Sequence, residues 1–426
     1  MKRIVILVVT LLLQMNMVYA VDNNDISQET LLMKQVETVL KKEIEKGKTN
    51  IDLRTLKMKY NDKNQRIILE TFKYSPYLYL LYKHNHLYKF SYSQGYIDSI
   101  DLNMDYSKED VQEVYKKVDD QLNEIMQLII PSMNNYTKAL TIHDYLILNY
   151  EYDKNISDSS ATSGGLFINK KGVCDGYSHA YQYIMNMLGF NCITVSSTQM
   201  NHSWNIIEMD NSYYHVDVTW DDPIEDKFGM VHHFYFMLSD KAIQENRTGE
   251  ESIHHHWESS VKCNDTKYDQ IGIKDIQSPI YFYKNHYYYI NNKGIMKDSE
   301  CFHTFNKWFV YKSMNRYWNG IYSGLFIYND EIYYNEATSI KKMSLDGKND
   351  KEIMKIEDGS IYGIRLNHKR VEYVIKQDPN EKGMTYDSQI KLSKKETIST
   401  LEDYLYNTTE LSLLYVQSVD EVLKNN

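Results

Sequence analysis

Cys174 lies in the short run Gly-Val-Cys-Asp-Gly at residues 172–176. The apolar spacing from 175 to 188 predicts a helix that Gly189 ends, so Cys174 is expected at a helix N-terminus. The free N–H groups and the dipole at such an end stabilise a thiolate, and the same N–H groups can hold an oxyanion. A lone cysteine more often packs as a small apolar side chain, so Cys174 alone leaves both interpretations open.

Two strand-like runs, 202–209 and 212–220, follow the cysteine and are joined by Asp-Asn at 210–211, which is a hairpin-turn signal. With a two-residue loop, Asp217 pairs opposite Trp204, and Thr219 pairs opposite His202. Side chains alternate along a strand, so His202 and Asp217 then share one face as diagonal neighbours, roughly 7–8 Å apart at the backbone. A three-residue loop would place them on opposite faces unless a bulge corrected the register.

These three positions together predict a thiol nucleophile. His202 accepts the proton of Cys174, and the resulting ion pair lowers the pKa of the thiol. Asp217 holds the second nitrogen of the imidazole and stabilises its positive form. An acyl group passes to Cys174, and His202 then activates water or an amine as the acceptor.

The same residues resemble the bacterial transglutaminase-like (papain-like) superfamily over about residues 136–240. The resemblance rests on the blocks at 172–177, 202–205 and 214–223, on a preceding block at 139–153 and on a following block at 234–240. It implies an α+β papain-like core in which Cys174, His202 and Asp217 are nucleophile, base and orienting acid. Ser203 stands where a small alanine is more usual, and the family's oxyanion-hole side chain has no clear counterpart.

Other candidate residues are weaker. Trp204, Tyr177 and Trp220 are candidate substrate-binding residues, with packing in the core as the alternative. The adjacent histidines at 254–256 cannot all face one ion from one short element, so no metal is expected there, nor any cofactor. His232-His233 is treated with the same caution, and Asp221-Asp222 before Pro223 is expected to shape a turn.

The remaining pattern predicts three regions after a signal peptide at 1–20. Helices are expected at 29–46 and 107–129 in a helical and mixed region, 21–130, whose segments 77–80 and 87–90 look like strands around a turn at Gly95. The catalytic domain is expected at 131–265, beginning with a helix at 137–148. Tyr-rich runs at 270–426 recur at roughly 40 residues, which predicts an all-β domain, either a partial propeller or a β-meander.

Composition limits where the protein acts and what it binds. The first twenty residues have the pattern of a signal peptide: Lys2 and Arg3, an apolar core at 4–13 and small residues before Val21. This pattern predicts export to the cell surface or the medium, without stable membrane insertion after cleavage. The net charge of −10 and the absence of a basic cluster argue against a nucleic-acid partner. With Cys174 as nucleophile, three cysteines remain, and no structural disulfide is expected.

Three functions remain open at this stage. The first is a cysteine enzyme acting on amide bonds of extracellular protein or cell-wall peptide, with hydrolysis favoured over amine transfer. The second is a binding or assembly protein that uses the domain as a scaffold, which Tyr-rich strands would suit. The third is a metal-dependent hydrolase, and it is the weakest hypothesis because only the histidines at 254–256 support it.

Overall fold

The computed structural model describes residues 26–83, 88–102, 106–223, 229–245, 257, 259, 261–269, 272–291, 294–299, 309–313, 317–318, 321–322, 324–367, 370–376 and 414–418. The predicted signal peptide, the histidines at 254–256 and Cys301 lie outside these residues.

The helices, numbered in chain order, alternate with short strands in the first half of the chain. They are α1 Ile26–Glu45, α2 Asp62–Tyr74, α3 Tyr79–Lys83, α4 Lys108–Gln127, α5 Asn135–Asn149, α6 Ser163–Asn169, α7 Cys174–Met187, α8 Val218–Asp221 and α9 Asp240–Glu245. The strands before α9 are β1 Asn50–Asp52, β2 Tyr88–Ser93, β3 Tyr96–Leu102, β4 Glu151–Tyr152, β5 Lys171–Gly172, β6 Cys192–Ser197, β7 His202–Met209, β8 Ser212–Val216 and β9 Phe236–Leu238. The α+β class is confirmed, and no described helix is both long and apolar enough to cross a membrane.

The chain divides into two compact units, each built from segments that are not contiguous in the sequence. The first unit contains the described residues within 1–126, 153–217 and 239–265. The second contains those within 127–152, 218–238 and 266–426.

In the first unit, β6, β7 and β8 form consecutive antiparallel strands, and α7 packs against β6 and β7. Helix α7 has apolar residues on its inner face, including Ala180 and Ile184, both without solvent exposure. The central strand β7 is buried on both faces except at Glu208, which is half-buried. The helix that begins at Cys174 therefore lies on the strand that begins at His202.

The predicted two-residue hairpin between β7 and β8 is confirmed. Met209 pairs with Ser212, and Asp210 and Asn211 both have positive φ, 53° and 66°. Positive φ at both central residues is the type I′ geometry, whose twist matches that of the strands. The extension of the second strand to Trp220 is wrong, because strand pairing ends at Val216 and α8 begins at residue 218.

The predicted N-terminal helices are confirmed, with a reciprocal capping box at the start of α4. Ser107 Oγ accepts from the N–H of Asp110 at 3.1 Å, and the Asp110 carboxylate accepts from the N–H of Ser107 at 2.8 Å. The strand predicted at 77–80 is wrong: Pro76–Leu78 is a 3₁₀ turn that leads into α3. Pro76 has the φ that a first helical turn requires, and this outweighs the alternating Tyr-Leu pattern.

The second unit contains α5, α8 and β9 and a series of antiparallel sheets. One meander comprises Tyr281–Tyr283, His286–Asn291, Gly294–Asp298 and Phe309–Ser313. A second comprises Leu325–Tyr328, Glu331–Asn335, Ser339–Ser344 and Lys351–Lys355, and a three-stranded sheet comprises Ser360–Asn367, Arg370–Lys376 and Leu414–Ser418. A short pair joins Tyr317–Trp318 to Ile321–Tyr322. The all-β meander is confirmed, and among the described residues these sheets do not close into a propeller.

Candidate active site

Cys174 is the first residue of α7, and a 3₁₀ turn at Asp158–Ala161 packs closely against this helix end. The carbonyl oxygen of Ser160 accepts from the N–H of Val173 at 2.9 Å. A Cβ at Gly176 would lie 2.4 Å from the same oxygen, so only glycine permits this approach. The N–H groups of the first helical turn have no acceptor within their own helix, and this leaves them available to an anion at Cys174.

His202 and Asp217 are brought together at the start of β7 and just beyond the end of β8. His202 Nε2 lies 2.6 Å from Asp217 Oδ2, and both residues are buried, at 9% and 1% exposure. Because Nε2 is held by the carboxylate, Nδ1 is the nitrogen left for the thiol. The sequence predicted this pair through the hairpin register, although the predicted pairing of His202 with Thr219 is wrong because Thr219 lies in α8.

The charges at the site favour an ion pair between Cys174 and His202. Burial alone would raise the pKa of the Cys174 thiol, but a hydrogen bond and the charge of His202, with a further hydrogen bond from Ser203, lower that pKa. Burial lowers the pKa of His202, but the carboxylate of Asp217 and the contact with Cys174 outweigh it and raise that pKa to about 10. The two directions together correspond to thiolate and imidazolium.

A second polar network reaches the thiol through Ser203, whose role the sequence did not predict. Its hydroxyl donates to Asp175 Oδ1 at 2.5 Å and is also hydrogen-bonded to Cys174. Lys73 Nζ lies 3.4 Å from Asp175 Oδ2. Burial raises the pKa of Asp175, but His179, Lys73 and Ser203 outweigh it and keep the carboxyl ionised. A hydroxyl has one proton, so Ser203 donates either to the carboxylate or to the thiolate.

Trp204 is part of the core behind His202. Its indole ring stacks on the imidazole, with centroids 5.7 Å apart and planes at 20°. Its N–H donates to His215 Nδ1 at 3.0 Å, and His215 Nε2 lies 2.9 Å from Asp240 Oδ1. An indole nitrogen can only donate, so His215 is protonated at Nε2 and donates to Asp240.

The other two predicted substrate-binding residues lie in different surroundings. Tyr177 has no exposed surface, and Trp204 is 1% exposed, so neither side chain offers a face to a substrate in this conformation. Trp220 is half-buried in α8 and packs edge-on against Tyr235, with centroids 5.0 Å apart. A substrate-binding role therefore remains a prediction for Trp220, while burial argues against direct contact by Tyr177 and Trp204.

The three described cysteines are all free thiols. Cys192 and Cys263 are buried, and burial raises the pKa of both. Cys174 is half-buried, and it alone of the three has a lowered pKa. Cys174 therefore differs from the other two described thiols in its environment.

Two groups of described residues place His, Asp or Cys atoms close enough for a metal ion: His143, Asp144 and His233, and His215, Asp240 and Cys263. The second group does not fit. Because His215 accepts from Trp204 at Nδ1, its Nε2 must be protonated and has no lone pair for a cation. The first group, His143, Asp144 and His233, is a candidate metal site.

Comparisons with known proteins concern the segment that contains this site. A family model described as the transglutaminase-like superfamily matches residues 126–218. A search of curated proteins finds no match.

Two solved structures are similar over part of the chain. A protein called a TGase matches at 15% identity and TM-score 0.22, over 38% of this chain and 49% of that one. A "Putative Cysteine Protease from Cytophaga hutchinsonii" matches at 15% identity and TM-score 0.21, over 32% of this chain and 62% of that one. The chain thus spans about half of the first protein and less than two thirds of the second.

Overlaps this low carry no argument about activity. The family match includes Cys174, His202 and Asp217, and it shows a transglutaminase-like superfamily domain over residues 126–218 of this chain.

Proposed function

We propose that the protein is an exported cysteine enzyme that transfers acyl groups from amide bonds, with Cys174 as nucleophile, His202 as base and Asp217 as orienting acid. One observation supports it most: a thiol at a helix N-terminus is hydrogen-bonded to an imidazole whose other nitrogen lies 2.6 Å from a buried carboxylate. Nucleophilic acyl transfer uses a thiol, a base and an orienting acid of these kinds, which supports the proposal.

In the first half-reaction, the Cys174 thiolate attacks the carbonyl carbon of an amide. The carbonyl oxygen becomes an oxyanion near the first N–H groups of α7. The imidazolium of His202 gives its proton to the leaving amine, the C–N bond breaks, and a thioester remains on Cys174.

In the second half-reaction, neutral His202 takes a proton from water as the water oxygen attacks the thioester carbon. The C–S bond breaks, the carboxylic acid leaves, and the Cys174 thiolate and the His202 imidazolium are restored. An amine could replace water, but no crosslinking-specific region is recognisable in the sequence, so hydrolysis is the proposed outcome. The signal-like segment at 1–20 supports substrates outside the membrane, namely extracellular protein or cell-wall peptide.

A scaffold without catalytic activity is the second candidate, since the second unit offers Tyr-rich strands. The arrangement of the triad does not favour it, because binding alone needs no thiol with a lowered pKa.

Iodoacetamide labelling of the full mature chain tests the proposal. Alkylation is followed from about pH 4 to about pH 9, and the label is located by peptide mass mapping. Cys174 should react selectively well below about pH 8.5, the usual thiol pKa, and His202→Ala should lose the low-pH reactivity. His286→Ala, whose imidazole is hydrogen-bonded to the exposed carbonyl of Lys284 in the second unit, is the matched control.

Labelling of Cys174 no faster than that of Cys192 or Cys263, both before and after limited proteolysis of the N-terminal region, would count against the enzyme. The scaffold would then be the better explanation.

A further inference from the structure

A second group of titratable residues lies wholly inside the second unit. His143 and Asp144 belong to α5, Asp221 ends α8, and His233 precedes β9. His143, Asp221 and His233 have no exposed surface, and Asp144 is 4% exposed. Buried ionisable groups are costly unless they are paired or coordinate a metal, so the cluster requires a specific occupant.

The outer partners of the two histidines determine which nitrogens carry protons. His233 Nδ1 lies 2.8 Å from the carbonyl oxygen of Ile276 and must donate to it. His143 Nε2 lies 3.1 Å from Asp221 Oδ2, and the same carboxylate accepts from the N–H of Tyr235 at 3.0–3.1 Å. With Asp221 ionised, neutral imidazoles then have their lone pairs on His143 Nδ1 and His233 Nε2.

Both of these inner nitrogens face one carboxylate oxygen. Asp144 Oδ1 lies 2.9 Å from His143 Nδ1 and 3.0 Å from His233 Nε2. The other oxygen, Oδ2, accepts from the N–H of Ile280 at 2.8 Å and so orients the carboxylate. With neutral imidazoles, lone pairs would oppose lone pairs at both contacts, so positive charge is needed between the three atoms.

We propose that His143, Asp144 and His233 bind a divalent cation of the zinc class through Nδ1, Oδ1 and Nε2, with a water molecule as the fourth ligand. The three ligand atoms lie within 4.8 Å of one another, and two imidazoles with one carboxylate suit Zn²⁺. Each ligand has an outer partner of the kind that orients metal ligands: a carboxylate for His143, a backbone carbonyl for His233 and a backbone N–H for Asp144. The site lies away from the proposed triad in sequence and does not depend on the proposed function.

Two protons are the competing occupant, because they neutralise the two aspartates as one divalent cation does. Burial lowers the pKa of His143, but Asp144 and Asp221 outweigh it and raise that pKa to about 9. Full protonation would place two imidazolium rings side by side, with centroids 5.5 Å apart, in an interior without solvent exposure. Both occupants keep the outer hydrogen bonds, but a cation leaves the two rings neutral, which favours the metal.

The consequence for the fold is a clamp within the second unit. The cation would join α5 to the segment before β9, and the outer hydrogen bonds extend this link to the backbone at 276 and 280. Zinc binding would then contribute to folding, since these ligands come together only in the folded chain.

The test uses the full mature chain without a polyhistidine tag, refolded with and without Zn²⁺ and then dialysed. Plasma mass spectrometry should find about one retained zinc per chain, and a Co²⁺-substituted sample should show the intense visible bands of a four-coordinate site. X-ray absorption at the zinc edge should show two imidazoles and N/O donors at about 2.0–2.2 Å, without sulfur. Zinc should also raise the melting temperature.

Variants separate this site from other binding. His233→Gln should lose the retained zinc and the zinc-dependent rise in melting temperature. The triple replacement of His254, His255 and His256 by Ala should keep both. His233→Gln changes a fully buried residue, so the X-ray absorption spectrum of the unsubstituted protein provides a check that does not depend on folding of the variant.

Three outcomes would overturn the proposal. The first is no zinc retained by the refolded protein, which would leave the protons as occupant. The second is zinc lost in the triple variant, which would indicate an adventitious ion only. The third is sulfur in the absorption spectrum, which would indicate Cys263 and the other cluster.

Discussion

The indole N–H of Trp204 donates to Nδ1 of His215 across 3.0 Å, while its ring stacks on His202. His215 is in turn hydrogen-bonded to Asp240 at 2.9 Å. The candidate base is thus supported on one side by its carboxylate and on its face by an indole whose orientation depends on a second histidine. His202 and Trp204, two positions apart on β7, therefore act together: His202 lies at the site, and Trp204 packs behind it.

His215→Leu should weaken this support. It leaves the buried N–H of Trp204 without an acceptor, at a cost of about 1–3 kcal/mol in the free energy of unfolding. Alkylation of Cys174 should also slow, because the His202 ring loses its fixed neighbour. Urea denaturation and labelling rates measure both effects. His215→Gln, which keeps an acceptor oxygen, should lose less of each, and equal losses in the two variants would argue against the hydrogen bond.

Asp217→Asn should reduce amide cleavage by about 10³–10⁴-fold, because the neutral amide no longer stabilises the positive imidazole or selects its tautomer. The pKa of Cys174 should rise, since the ion pair is weaker. Single-turnover cleavage of a peptide library and the pH dependence of alkylation measure the two effects. Asp210→Asn in the exposed hairpin turn is the control, and an Asp217→Asn protein with an unchanged thiol pKa would contradict the assignment.

Ser203→Ala should raise the pKa of Cys174 by about one unit, the equivalent of one hydrogen bond to a charged group. The variant also removes the hydroxyl that donates to the Asp175 carboxylate. The negative charge of Asp175 then acts more strongly on the thiolate, and this also raises the pKa of Cys174. Thiolate absorbance against pH gives the value. Ser196, which pairs opposite Ser203 on β6 and is exposed, provides the control Ser196→Ala. Similar curves for both variants would show that the Ser203 hydroxyl does not reach the sulfur.

The pH profile of cleavage should be bell-shaped, whereas alkylation should follow the thiolate and only rise with pH. The ion pair exists above the lowered pKa of Cys174 and below the raised pKa of His202, about 10. Cleavage should therefore rise below the usual thiol pKa and fall as the pH passes about 10, where His202 can no longer protonate the leaving amine. In His202→Ala, the acidic limb of alkylation should move to the pKa of an ordinary thiol. An acidic limb that does not move would show that His202 does not lower the pKa of the Cys174 thiol.

Gly176→Ala should lower both stability and activity. Its Cβ would lie 2.4 Å from the carbonyl oxygen of Ser160, and such overpacking costs about 1–3 kcal/mol. The start of α7 would have to move, and Cys174 with it. Gly95→Asn in an open turn, where no atom lies within 4 Å of the added Cβ, is the control. Thermal unfolding and Cys174 labelling should change only in Gly176→Ala.

The sequence by itself determined most of the local elements and which residues are candidates for the triad. The spacing of apolar residues predicted α1, α4, α5 and α7 within a few residues, because amphipathic periodicity follows from helix geometry. Asp210-Asn211 predicted the two-residue hairpin, and that register placed His202 and Asp217 on one face. Strand 77–80 was wrongly predicted because alternation alone does not exclude a helical turn begun by Pro76.

Tertiary structure decided what lies around those residues. Ser203, Asp175 and Lys73 form one network, although 102 residues separate Lys73 from Asp175, and no local pattern encodes that distance. Tyr177 and Trp204 are buried because helix α7 packs on β7, and the sequence could not distinguish a buried aromatic from one in a cleft. His143, Asp144 and His233 meet for the same reason: burial and hydrogen-bond direction are properties of the packed chain, whereas periodicity and turn type are properties of neighbouring residues.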